Sequence, residues 1–202
     1  MKAALIIVGA LVVLGLIVGF VVFGWYTSTY DQIIKLNNAC EQQGGNVDAV
    51  MQRRYDLIPN LVASVKGIFK QEQAVLIGVT EARAKVGQVR IDLKDAKVTP
   101  EQAQQYMQAQ DNLGSALSRL LVVMEKYPEI KSDKQVAQLM DELAGTENRI
   151  SVERTRYNEK VADYNNKIQS FFGSFVANRM NMKTRARFEM DAAAKTAPKV
   201  EL

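Results

Sequence analysis

The feature that most constrains this chain is an unbroken apolar run near its N-terminal end. From residue 3 to residue 24 the sequence reads AALIIVGALVVLGLIVGFVVFG, and no charged residue occurs between Lys2 and Asp31. As an α-helix the run is about 33 Å long, enough to cross a hydrocarbon core of roughly 30 Å. Inside lipid it has to be helical, because its backbone amides find no other partners there. The sequence therefore predicts a membrane-spanning helix that includes Ala3, Leu11, Gly15, Gly19 and Gly24.

The residues after the run favour a retained anchor. Trp25, Tyr26 and Tyr30 are typical of the aromatic belt at a membrane interface. A cleaved signal peptide would have an apolar core of about 7–15 residues and a small-x-small cleavage site, so it is the less favoured interpretation. Gly15 and Gly19 have the GxxxG spacing that lets two membrane helices approach closely, although this spacing also arises by chance.

The charges on either side of the run predict its orientation. Lys2 lies on one side, and the first basic residue on the other side is Lys35. Because positive charge is retained on the cytoplasmic side, we expect a cytoplasmic N-terminus and a body on the outer face of the membrane.

Composition excludes several classes of function. The chain has no histidine and a single cysteine, Cys40. One chain therefore cannot form a Ser-His-Asp or Cys-His nucleophilic site, a His/Cys zinc site or an internal disulfide. The net charge of +4, from 26 basic and 22 acidic residues, is milder than nucleic-acid binding usually requires. We expect no catalytic residue, no cofactor, no metal and no nucleic-acid partner.

The rest of the chain has the seven-residue periodicity of packed helices. One row comprises Val136, Leu143, Ile150, Tyr157, Tyr164 and Phe171, and a second runs from Met140 to Phe175. The segments 51–86 and 106–127 repeat the pattern. A strict seven-residue repeat of apolar positions favours a left-handed bundle whose helices cross at shallow angles. The predicted fold class is all-α, with an N-terminal transmembrane helix followed by a long antiparallel helical bundle with heptad-spaced seams.

Local signals predict where the elements begin and end. Thr99-Pro100 has the form of an N-cap followed by a first-turn proline, and Ser132 opens a second capping box. The pair Gly44-Gly45 predicts a hinge or short loop, since glycine weakens a helix interior. At Pro59 a bent continuous helix is favoured over a hairpin. The predicted segments are an anchor over 1–26, a stalk and hinge over 27–46, a bundle over 47–175, and a basic amphipathic segment with a loose tail over 176–202.

Charged residues on or near the seams form the first candidate site: Arg53, Arg54, Asp56, Glu72, Glu147 and Arg154. The favoured interpretation of the seam charges is pairing that fixes helix register, and the alternative is a polar site inside the bundle. For Arg53, Arg54 and Asp56, three interpretations stay open: binding to an anionic headgroup or partner, pairing with Glu142 and Glu147, and exposure to solvent.

The end of the chain offers a second candidate site, a contact with an anionic membrane surface or a neighbouring subunit. A short helix that returns along the bundle is the competing interpretation. The residues concerned are Phe171, Phe172, Phe175, Arg179, Lys183, Arg185 and Arg187.

The densest motif is QRRYDLIPNLV at 52–62, followed by SVKG at 64–67. EARA at 81–84, YPEIK at 127–131, TENRI at 146–150 and RYN at 156–158 follow in order. With these motifs the chain resembles the LemA family of bacterial membrane proteins. The resemblance implies a single N-terminal membrane helix, an α-helical bundle and no established enzymatic activity. The chain departs from the family pattern before residue 47 and after Phe172.

Together with the family resemblance, these observations predict a non-enzymatic helical scaffold that crosses the bacterial cytoplasmic membrane once and is in contact with lipid. The predicted role is to self-assemble and to organise or remodel the membrane or envelope. The first and last segments carry about 40 residues of seam and the middle one about 27, leaving some 20 Å of apolar seam unmatched. Because an apolar stripe of that size usually marks an interface, we expect a homo-oligomer. The alternatives are an adaptor that binds another membrane protein, such as a protease or a sensor, and, further off, an enzyme that uses carboxylates alone.

Overall fold

A computed structural model describes residues 2–69, 71–95 and 98–188. These residues form helices and connecting turns, with no strand among them. The helices are α1 (Lys2–Val65), α2 (Gln73–Gln88), α3 (Pro100–Met124), α4 (Pro128–Ser132), α5 (Lys134–Gln169) and α6 (Phe171–Arg179). The predicted all-α class with a long N-terminal apolar helix is therefore confirmed.

Contacts between side chains give the direction of the long helices. Gln43 of α1 donates to Glu153 of α5, whereas Arg53, further along α1, pairs with Glu142, earlier in α5. The residue numbers of the contacts increase along α1 and decrease along α5, so these parts of the two helices are antiparallel. Arg154 of α5 pairs with Asp111 of α3, and α2 packs along α3. The predicted antiparallel bundle is confirmed.

The chain divides into two compact units. Among the described residues, the anchor unit contains 2–39 and 163–184, and the bundle unit contains 40–162 and 185–188. Helices α1 and α5 contribute residues to both units.

The first heptad row of α5 and the heptad positions within α3 lie on the buried face of their helices, whereas in the second row of α5 Met140, Glu147 and Arg154 are partly or largely exposed. In α5 the residues Val136, Leu143, Ile150, Tyr157 and Tyr164 are all buried, and in α3 so are Tyr106, Gln110, Leu113, Leu117, Leu120 and Met124. Burial of apolar area at about 25 cal/mol per Å² makes these seams the main source of stability. The N-terminus of α3 is also as predicted, since Thr99 and Gln102 form a reciprocal capping box behind Pro100.

The first predicted segment is not one helix. It continues through Pro59, which lies inside α1, but α1 ends at Val65 and α2 begins only at Gln73. Glu72, predicted on a seam, is the residue that precedes α2 and is partly exposed. The forty-residue first seam is therefore wrong: a turn follows Val65, and α2 packs on α3.

The predicted interruption at Gly44-Gly45 is also wrong, because both residues lie within α1. A Cβ atom on Gly44 would lie 2.9 Å from the carbonyl oxygen of Leu93. Glycine is thus used here for the close approach of a neighbouring backbone, which contributes enough packing to offset its weak helix propensity.

The last predicted seam is shorter than expected. Helix α5 ends at Gln169, and Phe171 and Phe175, assigned to the two rows, are exposed on α6. At the start of α5, Asp133 accepts hydrogen bonds from the backbone amides of Gln135 and Val136. After α6 the chain is not helical over 182–188, and residues 189–202 of the predicted tail lie outside the described part.

Candidate functional site

Arg54 is the centre of a polar network inside the bundle unit. Its side chain is only 2% exposed, yet one guanidinium nitrogen, Nη1, lies 2.7 Å from Oε2 of Glu147. A second nitrogen, Nη2, donates to the backbone oxygen of Gln110 at 3.2 Å and to its side-chain oxygen at 2.5 Å. Arg54 thus links α1 to α3 and α5. A planar guanidinium suits this role, because it donates in several fixed directions at once.

Neighbouring residues make room for this network and extend it. A Cβ atom on Gly114 would lie 3.3 Å from Glu147 and 3.4 Å from Arg54, so the absence of a side chain there accommodates the ion pair. Arg154 pairs with Asp111 at 2.6 Å, again between α5 and α3. The seam charges Glu147 and Arg154 are therefore both paired, as the register-fixing interpretation expected.

The other predicted members of the site are at the surface. Arg53 pairs with Glu142 at 2.9 Å, and both side chains are substantially exposed. Asp56 is exposed and accepts a hydrogen bond from Gln52 at 2.6 Å. Glu72 lies outside the network, in the turn before α2. Of the six predicted residues, Arg54 and Glu147 form an ion pair with each other.

A second polar group, Asp48, borders a small cleft of about 170 Å³. One carboxylate oxygen, Oδ2, accepts a hydrogen bond from the backbone amide of Leu93 at 3.1 Å. The other, Oδ1, is buried and has no hydrogen-bond partner within the described part of the chain. The cleft is also lined by Tyr55, Arg90 and Tyr106, and it has room for a few water molecules.

Burial changes the acidity of the groups near this cleft. It raises the pKa of the Asp48 carboxyl from 3.8 to about 6, aided by the nearby Asp92 and opposed by the Leu93 hydrogen bond. Burial likewise raises the pKa of Tyr106, and the charge of Asp48 adds to that effect. The pKa of the buried Tyr157 phenol is raised to about 12. Among the described groups with a changed pKa, Asp48 is therefore the one whose pKa lies just below neutral pH.

Arg185, predicted at a membrane or subunit surface, is buried in the bundle unit. Its side chain is 4% exposed and pairs with Glu41 at 3.2 Å. Phe188, three residues later, is also buried, and its ring lies 5.5 Å from that of Tyr157. The backbone amide of Phe188 donates to the side-chain oxygen of Asn158, and the side-chain amide of Asn158 donates to the backbone oxygen of Phe188, both at 2.8 Å. The surface assignment of Arg185 is therefore wrong, because this residue is buried and pairs with Glu41 within the bundle unit.

The anchor unit places the predicted membrane residues at the start of α1. Ala3 lies within the helix, and the apolar side chains of residues 6–23 are exposed along it. Of the described residues, α1 is the one helix long and apolar enough to cross a membrane. Cβ atoms on Gly15, Gly19 or Gly24 would meet nothing within 4 Å. Trp25 and Tyr26 are partly buried, whereas Tyr30 is exposed.

Aromatic side chains of α6 adjoin this belt. The ring of Phe172 lies 4.5 Å from that of Trp25, and the ring of Phe171 lies 5.0 Å from Phe172. Phe175 is exposed, and the basic residues Arg179, Lys183 and Arg187 are exposed as well.

The chemistry available at these sites is limited. Among the described residues, no group of three or more histidine, cysteine, aspartate or glutamate side chains is arranged to hold a metal ion. Arg54 and Glu147 neutralise each other, and Asp48 faces a cleft too small for a substrate of ordinary size. The arrangement can fix helix register and respond to pH.

Several of these residues were missed by sequence reasoning. Asp48, Gln110 and Gly114 lie on no recognised motif, and only their neighbours in the fold give them a role. Asp48 and Gln110 follow the heptad spacing of the buried face closely, and that was the one signal in the sequence that could have drawn attention to them.

Comparison with known proteins gives consistent matches. The profile described as the LemA family matches residues 43–202. The chain is 23% identical over 164 residues to Protein LemA of Metamycoplasma hominis, covering 81% of this chain and 70% of that protein. It is 22% identical over 189 residues to Magnetosome protein MamQ 2 of Paramagnetospirillum magneticum, and the match covers 83% of this chain and 67% of that protein. Over 186 residues it is 25% identical to Magnetosome protein MamQ of Magnetospirillum gryphiswaldense, also covering 83% and 67%.

Proposed function

The chain belongs to the LemA family, and on that premise we propose that it is a non-enzymatic, membrane-anchored helical scaffold that assembles with itself and organises or remodels the membrane. Two relatives bear the name magnetosome protein, which supports a role at a membrane. The proposed location is the bacterial cytoplasmic membrane, which the chain crosses once.

The observation that carries the proposal is the open face of the anchor helix. Gly15 and Gly19 have the spacing at which membrane helices pack closely, and neither has a neighbour within 4 Å of the place where a Cβ would be. Since α1 is the one membrane-length helix in the described part of the chain, a helix that covers this face is expected to come from another polypeptide. A second copy is the simplest source, because copies anchored in one membrane are concentrated together.

The apolar seam left unmatched in the heptad count does not support self-assembly. That argument required a first seam of about 40 residues, but α1 ends at Val65 and α2 packs on α3. Among the described residues of the bundle unit, the exposed large apolar side chains are Ile68, Ile77, Val122 and Val152, and a few exposed apolar residues are ordinary on a protein surface. The anchor is therefore the part of the molecule in which we place the contact.

The non-enzymatic part of the proposal is supported by the polar groups of the bundle. The buried cations Arg54 and Arg185 are each engaged by a carboxylate. A general acid or base would have to reach a substrate. Among the described residues, Asp48 is the carboxyl group whose pKa is raised toward neutral pH, and it borders a cleft of only about 170 Å³.

Light scattering on the full-length protein in mild detergent, corrected for detergent mass, tests self-assembly. We expect a defined oligomer for the wild type and a smaller species for the double variant Gly15→Leu/Gly19→Leu, whose side chains block close helix contact. Gly9→Leu is the matched control, because Gly9 is equally open but lies outside the GxxxG spacing. A monodisperse wild-type monomer at micromolar concentration would overturn self-assembly.

The orientation that we propose places the N-terminus in the cytoplasm, supported by Lys2 and the lack of basic residues before Lys35. Labelling of a cysteine introduced near the C-terminus, in intact cells or spheroplasts and in a Cys40→Ser background, tests it. A membrane-impermeant reagent is expected to react without permeabilisation. Protection until the membrane is opened would reverse the orientation.

A groove in the bundle unit favours the second candidate function, an adaptor that binds another membrane protein. It has a volume of about 540 Å³ and is lined along α2 and α3 by small residues that include Ala74, Gly78, Ala82 and Ala116. Small residues allow a partner helix to approach closely. The adaptor proposal predicts a monomer that co-purifies with a stoichiometric partner, whereas the scaffold proposal predicts an oligomer of this chain alone.

A further inference from the structure

Helix α6 exposes its large apolar residues and buries its small ones, the reverse of the usual arrangement in a water-soluble helix. Phe171, Phe172 and Phe175 are 85%, 56% and 67% exposed, whereas the small residues Gly173 and Ala177 are buried. Three phenylalanine rings expose several hundred Å² of apolar surface, about as much as the largest apolar patch on an ordinary soluble protein, and a patch of that size usually marks an interaction site. Water is an unfavourable surrounding for this face.

The position of the phenylalanines within the anchor unit indicates what surrounds them. Phe172 packs edge-on against Trp25, with ring centroids 4.5 Å apart, and Phe171 packs against Phe172 at 5.0 Å. Trp25 directly follows the apolar run whose exposed side chains require lipid. Tryptophan at the end of a membrane helix marks the level of the headgroups. The aromatic face of α6 is thus continuous with the membrane-facing surface of α1.

The junction between α5 and α6 holds the face in place. The Ser170 hydroxyl accepts a hydrogen bond from the amide of Gly173 at 3.1 Å and caps α6. A Cβ on Gly173 would collide with the backbone oxygen of Lys167, so only glycine permits so tight a turn. The ammonium group of Lys167 in turn donates to Gln32 of α1 at 2.6 Å.

We propose that α6 is an interfacial membrane helix, which inserts Phe171, Phe172 and Phe175 among the acyl chains beside the anchor. The exposed Arg179 at its C-terminal end and Lys183 after it supply positive charge that attracts anionic headgroups. The chain therefore has two membrane attachments, a spanning helix and a short helix that occupies one leaflet. This inference goes beyond the proposed scaffold and does not depend on the number of subunits.

Tryptophan fluorescence tests this attachment directly, because Trp25 is the single tryptophan of the chain. The variants are Trp25→Phe/Phe171→Trp and Trp25→Phe/Phe175→Trp, which place the fluorophore at exposed positions where the fold does not depend on the ring. The matched control is Trp25→Phe/Val122→Trp, since Val122 is a comparably exposed apolar residue, 64% exposed, on α3. Each full-length variant is reconstituted into phosphatidylcholine–phosphatidylglycerol vesicles with or without acyl-brominated phosphatidylcholine.

Both α6 variants are expected to emit at shorter wavelength than the control and to lose most of their emission to the brominated lipid. Emission like that of the control, quenched by aqueous iodide and not by bromine, would overturn the proposal. A blue-shifted emission that brominated lipid leaves unchanged would also overturn it, because a protein surface rather than lipid would then cover the rings. Circular dichroism of each variant establishes that the helices are intact, and the two positions provide independent readings.

Discussion

The guanidinium of Arg54, 2% exposed, lies 2.7 Å from the carboxylate of Glu147, whose side chain is half exposed. The pair is thus asymmetric: α1 contributes a cation that has lost its water, and α5 contributes an anion that has kept part of it. Desolvation makes the cation costly unless it is paired. Glu147 and the two oxygens of Gln110 provide that pairing.

Removing the charge of Glu147 is therefore predicted to destabilise the bundle. Glu147→Gln leaves a buried cation without its carboxylate, which we expect to cost about 2–4 kcal/mol of unfolding free energy. Glu142→Gln is the control, because the exposed pair of Glu142 with Arg53 contributes only about 0–1 kcal/mol. Thermal unfolding followed by circular dichroism in mild detergent measures both. Equal effects of the two substitutions would contradict a special role for Arg54.

Part of this network could be predicted from the sequence. Glu147 and Arg154 lie on the second seven-residue row of α5, and this spacing predicts that both charges face another helix and need partners. Arg54 lies on no such row, so periodicity does not predict its burial. Glu147 as a partner for Arg54 was one of three open alternatives, and the structure selects it. Periodicity failed at Glu72, because the spacing continued across a turn that ends α1 at Val65.

Close approaches of the backbone could not be predicted, since they depend on residues far apart in the chain. Gly44 and Gly45 have the same local propensity, and nothing in their spacing shows that Leu93 lies against one of them. The burial of Arg185 is similar, because its partner Glu41 is 144 residues away. Neither contact is indicated by a local pattern in the sequence.

The glycine pair provides the second prediction. Gly44→Ala places a Cβ 2.9 Å from the Leu93 carbonyl oxygen, and we expect it to lower the unfolding free energy by about 1–3 kcal/mol, as overpacking does. Gly45→Ala meets only the flexible side chain of Lys94 at 3.5 Å, so its helix propensity should stabilise the protein by up to about 1 kcal/mol. Denaturant titration in detergent distinguishes them. Stabilisation by both substitutions would mean that Leu93 does not lie against α1.

The third prediction concerns pH. The Asp48 carboxyl has a pKa of about 6 in the folded chain against 3.8 as its ordinary value. Between these values the folded chain holds a proton that the unfolded chain releases, so stability falls as pH rises through this window. Because solvent reaches part of the carboxyl group and screens its charge, we expect a loss of roughly 1–2 kcal/mol between pH 4 and pH 7.

Asp48→Asn isolates this contribution, because asparagine resembles the neutral carboxyl and can still accept a hydrogen bond from Leu93. Relative to wild type, the variant should gain stability as pH rises from 4 to 7, whereas Asp141→Asn, at an exposed position of α5, should change little. Melting curves at several pH values provide the comparison. A difference between Asp48→Asn and wild type that does not vary with pH would show that Asp48 is not protonated in the folded chain.

The fourth prediction tests the central seam. Leu143 and Ile150 are 3% and 2% exposed in the middle of α5, and a buried, unpaired carboxylate at either place costs several kcal/mol. A domain with a margin of about 5–15 kcal/mol has little to spare, so Leu143→Asp or Ile150→Asp should unfold the bundle unit. Membrane insertion should persist, because the apolar run of α1 is unchanged, and alkaline carbonate extraction checks this. Val152→Asp is the control, because Val152 is 48% exposed on the same helix, and its melting temperature should stay near that of the wild type. A melting temperature near that of the wild type for Leu143→Asp as well would mean that the seam is misassigned.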